Sequence, residues 1–121
     1  MAPKVLNLNE VVAGSLQMLR RMIGEDINLA WVPGNSLWSV RIDPTQVHQI
    51  LANLAANARD AIAGVGQLTI RTENVTFDDA YCMAHTGFLP GQYVALEVTD
   101  DGRGMDQETQ AHIFEPFYTR R

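Results

Sequence analysis

The chain has 121 residues, of which 46% are apolar, 19% charged and 7% aromatic, with a net charge of −5. This balance supplies one globular core and excludes a disordered chain, while the lack of any basic run argues against a nucleic-acid partner. The single cysteine, Cys82, excludes an internal disulfide and a multi-cysteine metal site, and no apolar run has the length of a membrane span or a signal peptide.

Along the chain, Asn9 is placed to cap a helix running to about Ile23, with Val12, Leu16, Leu19 and Ile23 on one face and Gly24 as its stop. Ile27, Leu29 and Trp31 alternate with polar or small neighbours as a half-buried strand ending at Pro33-Gly34, and residues 37–42 read as a weaker second strand. Asp43-Pro44-Thr45-Gln46 combines a capping acid, a proline in the first turn and a glutamine at the third position. It predicts a helix from residue 44 to about residue 63, stopped by Gly64. Leu68, Ile70 and Thr72 alternate as a strand that Val75–Phe77 extends. Residues 78–91 read as a loop with local structure, and Val94, Leu96 and Val98 as a further strand. A turn, Asp-Asp-Gly-Arg-Gly, follows, and Asp106 is placed to cap a short helix to about Phe114. Helices and strands intersperse without strict alternation, which predicts an α/β sandwich with a mixed sheet.

Two features point to chemistry. On the 44–63 helix, Val47, Ile50, Leu51, Leu54, Ala58, Ala61 and Ile62 form the core stripe. Asn53, Asn57 and Asp60 form a polar row beside it at i, i+4 and i+7. Such a row is either an ordinary solvated face or a set of short oxygen-bearing side chains that border a cavity and hold a hard cation. Asparagine is a poor helix former, so two of them inside a helix call for an explanation. Magnesium takes few protein oxygens, retains waters and binds substrate phosphates. The second feature is Asp100-Asp101-Gly102-Arg103-Gly104-Met105 after a patterned strand. It reads either as a tight turn or as a place where a backbone approaches a ligand while Asp100 accepts a hydrogen bond from an exocyclic amine.

The basic residues limit how a nucleotide is held. Of nine Lys and Arg, only Lys4 is a lysine. A Walker A loop and the strand lysine of eukaryotic-type kinases are both excluded, and a Schiff-base lysine is disfavoured.

Taken in order, the motifs resemble those of bacterial sensor histidine kinases. The segment from Asn53 to Ala61, NLAANARDA, resembles their N box. Asp100-Asp101-Gly102-Arg103-Gly104-Met105 looks like their first glycine box, and Ile113-Phe114-Glu115-Pro116-Phe117-Tyr118-Thr119 like their F box. Leu8–Val12 is similar to the usual start of the ATP-binding domain. Asp43–Gln46 matches the segment before the N box in the subfamily of PAS-linked and nitrogen-regulator-like kinases. The resemblance covers essentially all 121 residues. It implies the Bergerat ATP-binding fold shared with gyrase, the ninety-kilodalton heat-shock chaperone and the mismatch-repair ATPases, a two-layer α/β sandwich with helices on one face of a mixed sheet.

The resemblance also implies roles. Asn57 would ligate Mg2+ bridging the ATP phosphates, with Asn53 assisting, and Asp100 would receive the adenine amino group. Gly102 and Gly104 would let the chain pass close to the nucleotide and hinge a lid, which Phe114 and Phe117 would anchor facing the phosphoacceptor domain. Asp60 falls at a variable box position and is included among the cofactor-binding candidates. Arg103 would pair with a carboxylate or with a phosphate. The position of Asn53 carries Glu in hydrolysing relatives, and an amide cannot act as a general base near neutral pH. This favours γ-phosphoryl transfer to a histidine over hydrolysis.

None of His48, His85 and His112 is followed by Asp or Glu, as acceptor sites in the family usually are. They are expected to be surface residues, with His48 on the exposed side of the N-box helix, so the acceptor is expected on a separate dimerisation domain. Trp31 and Trp38 are expected to be structural. Residues 1–121 are thus expected to be a cytoplasmic, monomeric catalytic ATP-binding domain cut within its lid, without the second glycine-rich box and the dimerisation helices, and acting upstream of a response regulator. The other readings are a hydrolysing ATPase of the same fold and a binding module without catalysis.

Overall fold

The computed structural model describes residues 4–62, 64–84, 89–102 and 108–116. Their elements run β1 (Lys4–Leu6), α1 (Leu8–Ile23), β2 (Ile27–Val32), β3 (Val40–Ile42), α2 (Pro44–Ala61), β4 (Gly66–Phe77), α3 (Asp79–Ala84), β5 (Gly91–Gly102) and β6 (Glu108–Phe114). Among these residues no helix is long and apolar enough to cross a membrane.

The two long helices follow their sequence signals closely. Asp43 caps α2, its Oδ1 accepting the Thr45 amide at 2.9 Å, and Pro44 occupies the first turn, where its missing N–H has no intrahelical partner to lose. Gly24 ends α1 with φ of 83° and donates its N–H to the Arg20 carbonyl, a conformation open to glycine at little steric cost. The start of α1 differs from expectation. Asn7, not Asn9, is the cap, accepting the Asn9 amide on Oδ1 at 2.8 Å.

A four-stranded sheet of order β2-β4-β5-β6 forms one layer, with β2 parallel to β4 and the other neighbours antiparallel. A second, two-stranded sheet pairs β1 with β3, and Pro116 bridges to Val40. Strand alternation and register put Leu29 and Leu68, Ile70 and Val98, and Thr72 and Leu96 side by side on the face toward the helices. There they join Val12, Leu19, Val47, Leu51 and Leu54 in the core, and α1 packs on α2 above them. Each fully buried leucine or isoleucine here, such as Leu19, Leu51, Ile70 and Leu96, stabilises the fold by roughly 1.5–3 kcal/mol relative to exposure. The other face carries Arg71, Glu73 and Glu97. This is the two-layer α/β sandwich with a mixed sheet and helices on one face.

Several expectations are corrected. The predicted helix ending at Phe114 is strand β6, hydrogen-bonded to β5 from Val94↔Phe114 to Asp100↔Glu108; its proposed cap, Asp106, lies outside the described residues. The last edge of β5 supplies a ladder that outweighs the weak helical pattern of the segment. The lysine-bearing start forms β1 because β3 lies beside it. On α2, Ala55 is buried whereas Ala61 is exposed, and Ile50 is half-buried. His48 is half-buried and contacts the buried Ser15 hydroxyl through Nδ1, joining α2 to α1. His112 lies half-buried on β6, and His85 lies outside the described residues. Trp31 and Trp38 pack against the core, as expected of structural residues.

Polar groups tie the layers together. Asn9 donates Nδ2 to the Gly34 carbonyl at 3.0 Å, and its Oδ1 accepts the Thr72 hydroxyl at 2.5 Å. Gly34 returns its amide to Thr72 Oγ1 at 3.0 Å. A Cβ on Gly34 would lie 2.5 Å from the Thr72 carbonyl oxygen, so only glycine brings this loop so near β4. Asn74 clamps the same loop further on, accepting the Trp38 amide at 2.9 Å and donating to the Ser36 carbonyl at 3.0 Å.

Candidate nucleotide site

Helical geometry displays Asn53, Asn57 and Asp60 along one side of α2, and all three are exposed. The small residues Ala52 and Ala56 beside them are half-buried. Among the described residues, neither asparagine carboxamide bonds to another protein group. Asp60 lies 3.9 Å from Arg59 Nε in a solvent-exposed pair of little energetic weight. Arg59 also donates Nη1 to the Met22 carbonyl at 3.2 Å, which ties the end of α2 to the end of α1.

The strand motif sits differently from the expected turn. β5 continues through Asp100 and Asp101 to Gly102, so the two acids are strand residues. The alternation that buries Val94, Leu96 and Val98 toward the helices places Asp100 on that same face. Asp100 is half-buried, and its Oδ1 is shielded from solvent. A carboxylate continuing an apolar row is costly unless it is matched by a donor.

Register brings the two motifs to one end of the molecule. α2 leads into β4 through residues 62–65, and Gly66 and Leu68 of β4 lie opposite Gly102 and Asp100. The last turn of α2 and the end of β5 are therefore held together, and α2 packs against β5. Arg103, Gly104, Phe117 and Tyr118 lie outside the described residues, whereas Phe114 closes β6 and packs against the core.

Beyond Asn53, toward the start of α2, a cavity of about 400 Å³ is lined by Gln46, Gln49, Ile50, Asn53, Ile42 and Phe114. Gln46 and Gln49 continue the row of Asn53, Asn57 and Asp60 at helical spacing, a stripe roughly 80° wide and about 20 Å long. The signal was present in the sequence as two amides at i−7 and i−4 from Asn53.

The donors constrain what binds. Among the described residues no three His, Cys, Asp or Glu side chains converge to hold a metal ion. Two amide oxygens on one helix suit Mg2+ that keeps its waters and shares phosphate oxygens, and do not suit a cation caged by protein. Asp60, Asp100 and Asp101 also make this end acidic, so a polyphosphate would approach it only with a cation to offset the charge.

The model of histidine kinase-, DNA gyrase B- and HSP90-like ATPases matches residues 42–121, which hold both motifs. The chain belongs to this ATPase-like family. Sensor kinase CckA of Brucella abortus is 40% identical over 98% of the chain, and sensor histidine kinase ZraS of Salmonella typhi 26% identical over 98%. The chain spans 13% and 23% of the lengths of these two relatives. The catalytic domain of histidine kinase ThkA, a kinase also solved with the response regulator TrrA, has the same fold, with a TM-score of 0.57 at 23% identity. That match covers 88% of this chain and 63% of the ThkA domain. The family's ATP-binding character fits a site with no lysine for the phosphates.

Proposed function

We propose that residues 1–121 are the catalytic ATP-binding domain of a sensor histidine kinase, which positions Mg-ATP for γ-phosphoryl transfer to a histidine on a separate dimerisation domain. The observation that carries this reading is the exposed Asn53–Asn57 row at the same end of the fold as Asp100. Asp100 accepts the adenine amino group, and its place on the inner face keeps competing water away from that hydrogen bond. Gly102, and Gly104 after it, leave room for the backbone to pass close to the base, while Asp60 borders the nucleotide beside Arg59.

The carboxamide oxygen of Asn57 would hold Mg2+, with Asn53 assisting beside it, and the ion would supply charge to offset the phosphates. With an amide at position 53, the site has no base to activate water there, so it favours transfer to a supplied nucleophile over hydrolysis. Positioning and charge neutralisation carry most of the rate in such transfers. The partners are the histidine-bearing dimerisation domain and, downstream, a response regulator, the class of protein bound by ThkA. This chemistry belongs in the cytoplasm, where ATP is supplied.

Calorimetric titration with a non-hydrolysable ATP analogue, with and without Mg2+, tests the reading. Binding should depend on Mg2+, weaken in Asn57→Ala, and lose preference for adenine over guanine in Asp100→Asn. Nucleotide binding unchanged in both variants would sink it.

A further inference from the structure

We infer that the outer edge of β2 is a docking site for an extended, acidic segment of a partner protein. β2 ends the four-stranded sheet, and among the described residues no strand pairs its outer side. Its ladder with β4 fixes which backbone groups face outward. The Asp26 carbonyl accepts the Gly66 amide, so Asp26, Asn28 and Ala30 direct their N–H and C=O groups at β4. Ile27, Leu29 and Trp31 therefore direct theirs away from the sheet, at two-residue spacing.

Such a row of donors and acceptors is matched by another extended backbone, the basis of recognition by strand addition. Edge strands are usually blunted by lysine, proline or a bulge. β2 has none of these. It pairs with β4 without interruption from Ile27 to Val32, and Pro33 follows only after the strand has ended. Beside this edge lies a cavity of about 860 Å³. Ile27, Asn28 and Leu29 line it from the strand, and Gln17, Arg20 and Arg21 from one side of α1. A strand added to β2 sends its helix-facing side chains into that cavity.

Charge selects the occupant. The chain carries −5 overall, yet Arg20 and Arg21 are exposed and, among the described residues, neither forms an ion pair. Glu25 and Asp26 line the cavity only where β2 begins. A carboxylate on the added strand opposite Leu29 stands clear of those acids and on the side of the two guanidinium groups, whose forks of donors match it. A free anion would meet the arginines and leave the backbone edge unpaired. A basic segment would pair the edge and be repelled by the arginines. An acidic strand satisfies both.

The test uses the polypeptide that carries this chain, with a short acetylated peptide of alternating glutamate and valine as the probe. Hydrogen exchange followed by NMR should show the Leu29 and Trp31 amides slowed roughly tenfold or more by saturating peptide. By fluorescence anisotropy, the double variant Arg20→Gln/Arg21→Gln should bind the labelled peptide roughly tenfold more weakly. Both arginines are exposed, so its thermal unfolding should stay close to wild type. A lysine-for-glutamate peptide should bind more weakly still. The same acidic peptide N-methylated throughout keeps its charges, has no donors for the ladder, and should also lose binding. Equal binding of the N-methylated peptide would make the groove an anion site and overturn strand docking. So would unprotected Leu29 and Trp31 amides at saturation. Unchanged affinity in the double variant overturns the acidic occupant. Protection of the same amides that rises with protein concentration alone would give the edge to a second copy instead.

Discussion

Asn9 and Asn74 engage both ends of their carboxamides with groups from other elements, whereas Asn53 and Asn57 hold theirs in solvent on α2. The first pair fastens the loop at residues 33–39 and the start of α1 to β4. The second pair adds nothing to packing, and each costs α2 several tenths of a kcal/mol against a better helix former. The same side chain is thus structural where its partners are internal and a candidate ligand where they are not. Burial alone would rank the two pairs in the opposite order of functional interest.

The largest expected effect separates the pairs by binding. Asn57→Ala should lower affinity for Mg-ATP about a hundredfold by calorimetry, while its unfolding free energy from urea titration changes by no more than about 0.5 kcal/mol. A comparable loss of stability would erase the distinction. Thr72→Val is the converse. It leaves the Gly34 amide and the Asn9 oxygen without the Thr72 hydroxyl, and equilibrium unfolding should show about 1–3 kcal/mol of destabilisation. Nucleotide affinity should be unchanged, and a matching loss of affinity would mean that the latch reaches the site. Asp43→Ala, which removes the α2 cap, should cost about 1 kcal/mol. The Asn53–Asn57 row lies on α2, so a small drop in affinity should accompany it.

The smallest effect lies on the outer sheet face and should leave both pairs untouched. A hydrogen bond from the Glu97 carboxyl to Glu73 raises the Glu97 pKa, helped by partial burial and by the Glu73 charge and opposed by Arg71. A carboxyl whose folded pKa lies above its unfolded value stabilises the fold at low pH. That contribution fades as pH rises from the ordinary glutamate range through the raised value. Glu97→Gln should therefore raise stability at neutral pH by a few tenths of a kcal/mol and flatten the pH profile just above the ordinary glutamate range. A steeper profile would reverse the assignment.

The elements with local signals were the legible ones. The proline at the start of α2, the glycine after α1 and the alternation in β2, β4 and β5 are all set by residues a few positions apart. What escaped depended on distant partners. β1 needs β3, more than thirty residues away, and β6 needs the edge of β5, against which a helix-compatible segment lies extended. Two asparagines, Asn7 and Asn9, compete for one cap, and only the position of Thr72 shows why Asn9 does not take it. In the candidate site, the shared exposed side of Asn53, Asn57 and Asp60 was legible from spacing, whereas the place of Asp100 on the inner face of a strand was not. Gln46 was legible only as part of the helix-start signal and Gln49 not at all, because glutamine is unremarkable in a helix; the cavity with Phe114 brings both beside Asn53.

The long β4–β5 hairpin also separates two ends of the molecule. Gly66 and Gly102 pair at one end and Phe77 and Gly91 at the other, about 35 Å apart at strand spacing. Cys82, the chain's one cysteine, lies on α3 just past Phe77, opposite the candidate nucleotide end. Desolvation, then Asp79 and Asp78, raise its pKa, so coupling to maleimide should run best at mildly alkaline pH. A surface tethered through that thiol would hold the molecules with the candidate nucleotide end facing away from it.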